Sequence, residues 1–205
     1  MTRDDERRRR AAESPIVAGL PDVPGILTAL QLTPGLGTHL RGLANELLVH
    51  ELAGSTLTRA ERELLATAVS AANDCFYCMD SHGAFAAELL RPGDAASAVP
   101  IVDAIKCGSS EPANEKMRAL LHIARTVQRE PRALTRGDVE DALAAGATDA
   151  DTQLAVLIAA GFCMFNRIVD GFRARTPASA DAFRARALQI AEHGYAAPQV
   201  TAIPA

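Results

Sequence analysis

Residues 73–82 read NDCFYCMDSH. Two thiols three residues apart, Cys75 and Cys78, precede an imidazole, His82, which lies four residues beyond the second. Thiols and an imidazole so arranged can do three things: grip a metal, brace a fold, or cycle between dithiol and disulfide. On a helix that advances ~100° per residue, positions i, i+3 and i+7 fall within a sector of roughly 60°, so the three side chains share one face. Ala86 and Leu89 continue that face, whereas Asp80, Ser81, Ala84 and Glu88 point elsewhere. The thiols are therefore expected at the head of an apolar stripe, in a semi-buried pocket. Residues three apart on a helix have Cα atoms ~5 Å apart, within reach of a disulfide.

Each use of these residues meets its own test. Covalent haem attachment needs a His immediately after the second Cys, and Met79 stands there, which excludes it. Zinc would take Cys75, Cys78 and His82 and need a fourth ligand from His39, His50 or Cys163, yet no second close ligand pair exists, so no metal is expected. A structural role treats a free Cys as a small hydrophobe, which explains one thiol better than two with a His on the same face. The redox reading uses all three residues, because a Cys-x-x-Cys pair at a helix N-terminus favours thiolate and reversible disulfide formation. Which sulfur attacks is left open: His82 is the i+4 neighbour of Cys78, but Cys75 sits nearer the positive end of the helix.

The elements that must position these residues follow from composition and punctuation. The chain of 205 residues is 48% hydrophobic and only 4% aromatic, with no Trp and frequent Ala, which predicts an all-α protein of closely packed helices. Helices are predicted from Pro34 towards Gly54, from Thr58 to Asn73 with capping-box spacing between Thr58 and Glu61, and from about Cys75 to Leu90. Further helices are predicted over Ala98–Lys106, Glu111–Arg129, Thr135–Ala144, Thr148–Arg175 and Pro177–Glu192. A disordered tail is expected over 1–14, a single helical domain over 15–193, and an extended arm over 194–205 that can lie on a neighbouring subunit.

Charge and cysteine usage narrow the class. A formal charge of -4 offers no basic face for nucleic acid and argues against anionic membranes. The longest apolar run, Leu154–Phe165, is shorter than the ~20 residues that cross a bilayer and reads as a core helix. No apolar stretch follows MTRDDERRRRAAES as a signal peptide would require, and four cysteines with one close pair do not form a secreted framework, so a reducing cytoplasm is expected. At an offset of 88 residues, Ala71, Ala72, Cys75 and Gly83 meet Ala159, Ala160, Cys163 and Gly171, while Glu63 meets Asp151, which hints at two related helical halves. Asn166 and Asp170 then stand where Cys78 and His82 do.

The stretch ERELLATAVSAANDCFYCMDSHGAF, with Glu63 twelve residues before Cys75, resembles the AhpD-like alkylhydroperoxidases of the carboxymuconolactone decarboxylase superfamily. The later LTRGDVEDALAAGATDADTQLAVLIAAGFCMFNRIVDGF is similar to the second half of their peroxidase-related branch, and the two segments span most of residues 24–175. The resemblance implies an all-helical AhpD-like fold that assembles as a homo-oligomer, a trimer or hexamer. It also implies a thiol peroxidase that needs no cofactor and reduces organic hydroperoxides to alcohols. Cys78 would attack, Cys75 would close the disulfide, His82 would take the thiol proton, and Glu63 would orient His82. A dithiol of lipoyl or thioredoxin-like type would restore the thiols. The best-known members place a His between the two cysteines, whereas this chain has Tyr77, so a relay through that His would be altered.

Taken on its own helix, Glu63 shares a face with Ala66, Thr67 and Ser70, opposite the apolar stripe of Leu64, Leu65, Ala68 and Ala72, which predicts an ordinary solvated carboxylate. Phe76 and Tyr77 are candidates to line the pocket. Two other functions stay open: an acid-base enzyme of the carboxymuconolactone decarboxylase type, and a non-enzymatic thiol redox or metal sensor.

Overall fold

The structure, a computed structural model, describes residues 5–6, 9–10, 12–13 and 15–195. Residues 196–205 of the expected arm, and residues 1–4, 7–8, 11 and 14 of the expected tail, lie outside the described residues. Among the described residues there is no strand, and nine α-helices are bounded: α1 Ile26–Leu32, α2 Pro34–Leu48, α3 Arg59–Ala72, α4 Phe76–Leu90, α5 Val99–Lys106, α6 Glu115–Arg129, α7 Arg136–Ala144, α8 Asp149–Gly171 and α9 Arg184–His193. Helix α1 carries no signal that the periodicity predicted; its N-cap, Gly25, has φ 55.

Helix α3 is the centre. It packs against α4 above all, and also against α8, α6 and α5. Leu65, Ala66 and Val69 are fully buried there, and their small or branched side chains admit neighbours on every side. The Thr58–Glu61 capping box forms as predicted, and Thr135–Asp138 and Thr148–Asp151 repeat the device at the starts of α7 and α8.

The turn from α3 into α4 sets the site. Asp74 adopts φ 54, a left-handed conformation that Asp tolerates better than most residues. Asp74 N–H then donates to Ala71 O and Cys75 N–H to Ser70 O, the paired bonds of a Schellman stop. Cys75 thereby becomes the N-cap of α4 rather than its first turn. The same stop ends α8 short of the predicted Arg175: Arg173 has φ 48, and Ala174 N–H donates to Val169 O.

Helix α8 spans 23 residues and is apolar enough to cross a bilayer by length and composition, so the length argument made for Leu154–Phe165 does not decide its role. Packing does. It lies against α6 and α3, and its buried polar residues Asp151 and Asn166 bond to other elements. The 88-residue offset also meets a geometric limit: residues 59–90 form a two-helix hairpin broken at 73–75, whereas 149–171 form one continuous helix. The two segments are not copies of one structural unit.

Asp151, fully buried, ties the loop before α3 to the start of α8. It accepts hydrogen bonds from Ser55 Oγ at 2.7 Å, Thr56 N at 2.7 Å, Thr56 Oγ1 at 2.7 Å and Leu57 N at 3.2 Å, besides its capping bond from Thr148 N at 3.1 Å. Burial alone would raise its carboxyl, but the bonds from Ser55 and Thr56 outweigh burial and hold it well below the usual carboxylate range. A carboxyl depressed in the folded state contributes stability in full above its unfolded value of about 3.9, and loses it as pH falls towards the lower folded value. Asp151→Ala is expected to cost about 3 kcal/mol or more at pH 7, because several buried donors lose their acceptor. Asp151→Asn should flatten the fall in stability below about pH 4. Urea midpoints at neutral and acid pH measure both.

Candidate active site

Glu63, buried to 1% exposure in α3, is the hub of the site and not the solvated carboxylate its helical face predicts. Its face is covered from two directions. His82 Nδ1–H, from α4, donates to Glu63 Oε2 at 2.6 Å, and Tyr195 O–H, from beyond α9, donates to Glu63 Oε1 at 2.6 Å. The Tyr195 oxygen also lies 3.3 Å from His82 Nδ1. With Nδ1 committed to the carboxylate, Nε2 is the ring nitrogen left to exchange a proton. The ring is held edge-on between Phe162 and Phe85, at centroid distances of 4.6 and 5.3 Å, and Tyr195 stacks beside it. Burial first, and then the Glu63 charge and hydrogen bond, push the Tyr195 phenol well above its usual range, which fixes it as a donor.

The sequence predicts an extended arm from residue 194, yet Tyr195 is 7% exposed and part of the site. Three contacts bring it in. Arg59, at the start of α3, donates to Ile190 O and Ala191 O in the last turn of α9, at 2.6 and 2.8 Å. Gly194, with φ 67, then turns the chain inward, where a Cβ would also come within 2.8 Å of Asn45 Oδ1. That same oxygen accepts from Tyr195 N at 3.0 Å. A tyrosine two residues past a helix that ends in His193–Gly194 is the only local trace of this in the sequence, and nothing there points to Glu63.

Both cysteines of the pair are free and buried, at 0% and 2% exposure. They differ in what surrounds them. Cys78 lines a half-open cavity of about 540 Å³, mouth included, together with His82. Cys75 does not reach that cavity. Cys78 and the Asp170 carboxyl of α8 both lie close enough to act on its thiol. The bond to Cys78 first, then burial, then the charges of Cys78 and Asp170, raise the Cys75 thiol well above the usual value. Asp170 is itself raised by burial, against the opposing bond from Cys75. Of the two sequence cues, the helix end that favours Cys75 is thus outweighed by its surroundings.

The residues flanking the thiols separate. Tyr77 lines the cavity and packs edge-on to Phe183 at 5.2 Å, its ring lying where any Cβ at position 25 would be, which reserves that position for Gly25. Its hydroxyl is buried with no hydrogen-bond partner among the described residues, and burial pushes it up to about 12. Phe76, a pocket candidate on sequence, faces away because it sits one residue earlier on the helix. It clusters with Ala71 and Met79 under the Arg10 guanidinium, 5.3 Å from the ring centroid. Cys163 lies near the first site, where its sulfur accepts from Asn73 Nδ2 at 3.7 Å, and Asn73 also bonds to Asn166 at 2.8 Å. Among the described residues no three His, Cys, Asp or Glu side chains converge in a way that would hold a metal ion.

Residues 39–125, which contain Glu63, both thiols and His82, match the family described as the Carboxymuconolactone decarboxylase family. The fold is similar to that of an uncharacterized peroxidase-related protein from Silicibacter sp. TM1040, at a TM-score of 0.64 and 24% identity over 80% of this chain and 90% of that one. It is also similar to a structure titled as an alkylhydroperoxidase AhpD core, an uncharacterized peroxidase-related protein from Ralstonia eutropha JMP134, at a TM-score of 0.66 and 25% identity over 95% of this chain and 92% of that one. No curated protein matches the chain significantly.

Removing the Tyr195 hydroxyl tests the hub directly. Tyr195→Phe keeps the ring stack and strips one donor from a buried carboxylate, so it is expected to lower stability by about 1–3 kcal/mol. The urea unfolding midpoint reads it, and an unchanged midpoint would show that the hydroxyl contributes nothing to holding Glu63.

Proposed function

We propose, from the premise that this chain belongs to the AhpD-like carboxymuconolactone decarboxylase superfamily, that it is a thiol peroxidase that reduces organic hydroperoxides to alcohols. The observation that carries the reading is the placement of Cys78 and His82 in one cavity, with the free Cys75 thiol close to Cys78. In this reading His82, oriented through Nδ1 by Glu63 and Tyr195, accepts the Cys78 thiol proton at Nε2. The Cys78 thiolate attacks the outer oxygen of the hydroperoxide, the O–O bond breaks, and an alkoxide leaves with Cys78 as the sulfenic acid. The proton held on His82 converts the alkoxide to the alcohol. The Tyr77 hydroxyl, without a hydrogen-bond partner among the described residues, is a donor available to the same leaving oxygen, in the position where the best-known relatives carry a His.

Cys75 then condenses with the Cys78 sulfenic acid: a disulfide forms and water leaves, taking the Cys75 proton. Asp170, in contact with the Cys75 thiol, is placed to accept that proton on the way. The high Cys75 value suits this order, since the resolving thiol stays protonated until the sulfenic acid exists. A dithiol of lipoyl or thioredoxin-like type reduces the disulfide and is itself oxidised, so the cycle belongs in a reducing compartment, the cytoplasm. A homo-oligomer, trimer or hexamer, would cover the exposed Leu32, Leu36 and Leu43 on α1 and α2.

A single-turnover thiol count tests the reading. Reduced protein, freed of reductant and given a small excess of organic hydroperoxide, is expected to lose two thiols per chain and to release one alcohol. Cys78→Ser should keep its Cys75 thiol and its helical content, and Cys75→Ser should stop at one equivalent, with a sulfenic acid that dimedone traps. Unchanged thiols in the wild type would overturn the reading and transfer the His82–Glu63–Tyr195 set to acid-base chemistry.

A further inference from the structure

The cavity that holds Cys78 is polarised in one direction. Its walls are largely apolar, from Ile26, Leu30 and Leu40 on one side to Phe162 and Phe165 on the other, and it includes two guanidinium groups, Arg41 and Arg186. Among the described residues no carboxylate lines it. Arg41, half-exposed on α2, makes no side-chain hydrogen bond or ion pair among the described residues. Arg186, buried on α9, brings its charge to bear on the hydroxyls of Tyr77 and Tyr195. The Tyr77 hydroxyl is buried there without an acceptor among the described residues. In a chain whose formal charge is -4, a cavity that presents the Arg41 guanidinium and the unused Tyr77 donor suits an acceptor that the described residues do not supply.

We propose that the ligand of this cavity is an apolar chain that ends in a carboxylate, with the chain against the Ile, Leu and Phe walls and the carboxylate held at the half-exposed rim by Arg41. A guanidinium offers a planar pair of N–H groups that a carboxylate matches with two parallel bonds, which a neutral hydroxyl cannot do. The inference rests on the peroxidase reading for the step that follows binding: the substrate class becomes hydroperoxides of carboxylic acids, whose peroxide group lies along the chain from the acid.

Calorimetry on the reduced, full-length protein tests the binding without turnover, with octanoate and 1-octanol as the probes. Octanoate is expected to bind about tenfold or more tighter than 1-octanol, the size of a charge-assisted bond. Raised salt should weaken octanoate and leave 1-octanol nearly unaffected, a comparison that needs no variant. Arg41→Met should erase the preference for the acid, and Arg41→Lys should retain part of it. Equal affinities for acid and alcohol, no binding of either, or a preference that survives in Arg41→Met would overturn the proposal. A second measurement separates it from the peroxidase reading: kcat/KM for a fatty-acid hydroperoxide against cumene hydroperoxide. Turnover with no advantage for the acid would sink the substrate class alone, whereas octanoate binding with no turnover of either peroxide would sink the peroxidase reading and keep the carboxylate site.

Discussion

A carboxylate buried to 1% exposure inside the central helix is the constraint around which the molecule is arranged. An uncompensated charge there would cost several kcal/mol, so Glu63 must be met by donors, and the two that meet its carboxylate come from outside α3. One donor comes from α4 and the other from the chain beyond α9. Satisfying Glu63 therefore fixes how the α3–α4 hairpin closes, where the end of α9 lies, and which nitrogen of His82 is left for chemistry. Arg59 and Asn45 serve the same end at one remove, since they hold the last turn of α9 and the backbone of Tyr195.

The pair of thiols shows how a short motif acquires two different sulfurs. In isolation Cys75 and Cys78 are alike, and the helix end favours the first. The left-handed Asp74 takes Cys75 off the helix and turns it towards α8, where Asp170 waits. Cys78, in the first turn of α4, lines the cavity instead. One thiol is thereby kept protonated beside a carboxylate, and its neighbour is exposed to ligand beside an imidazole. The peroxidase reading draws its division of labour from this asymmetry, and the arginines of the cavity extend it towards a ligand with a charged end.

Much of this was legible in the residues. The all-α class follows from Ala-rich, Trp-free composition, because small side chains leave helices the only efficient way to fill a core. Capping chemistry at Thr58 and Glu61 is local and formed as read. The convergence of Cys78 and His82 follows from helical spacing alone. Helix α1 escaped because seven residues after a glycine carry too short a period to register, and α8 was drawn too long because Arg173 is an unusual residue in a left-handed stop. Phe76 was placed at the pocket on proximity in sequence, which one residue of helical rotation reverses.

Residue type and spacing alone specify the chemistry-bearing residues of the first site and the helices that carry them, since i, i+3 and i+7 spacing, caps and composition act over a few residues. What those residues face depends on packing. The burial of Glu63 requires α4 and the C-terminal segment to close over a face that looks solvent-exposed on its own helix. Tyr195 enters the site from 132 residues away, through contacts with Asn45 and the α9 end that no local pattern encodes. Asp170 reaches Cys75 and Arg41 reaches the cavity in the same way. Side-chain environment is set by packing between elements distant in the chain, whereas residue type and helical phase are set by the chain itself.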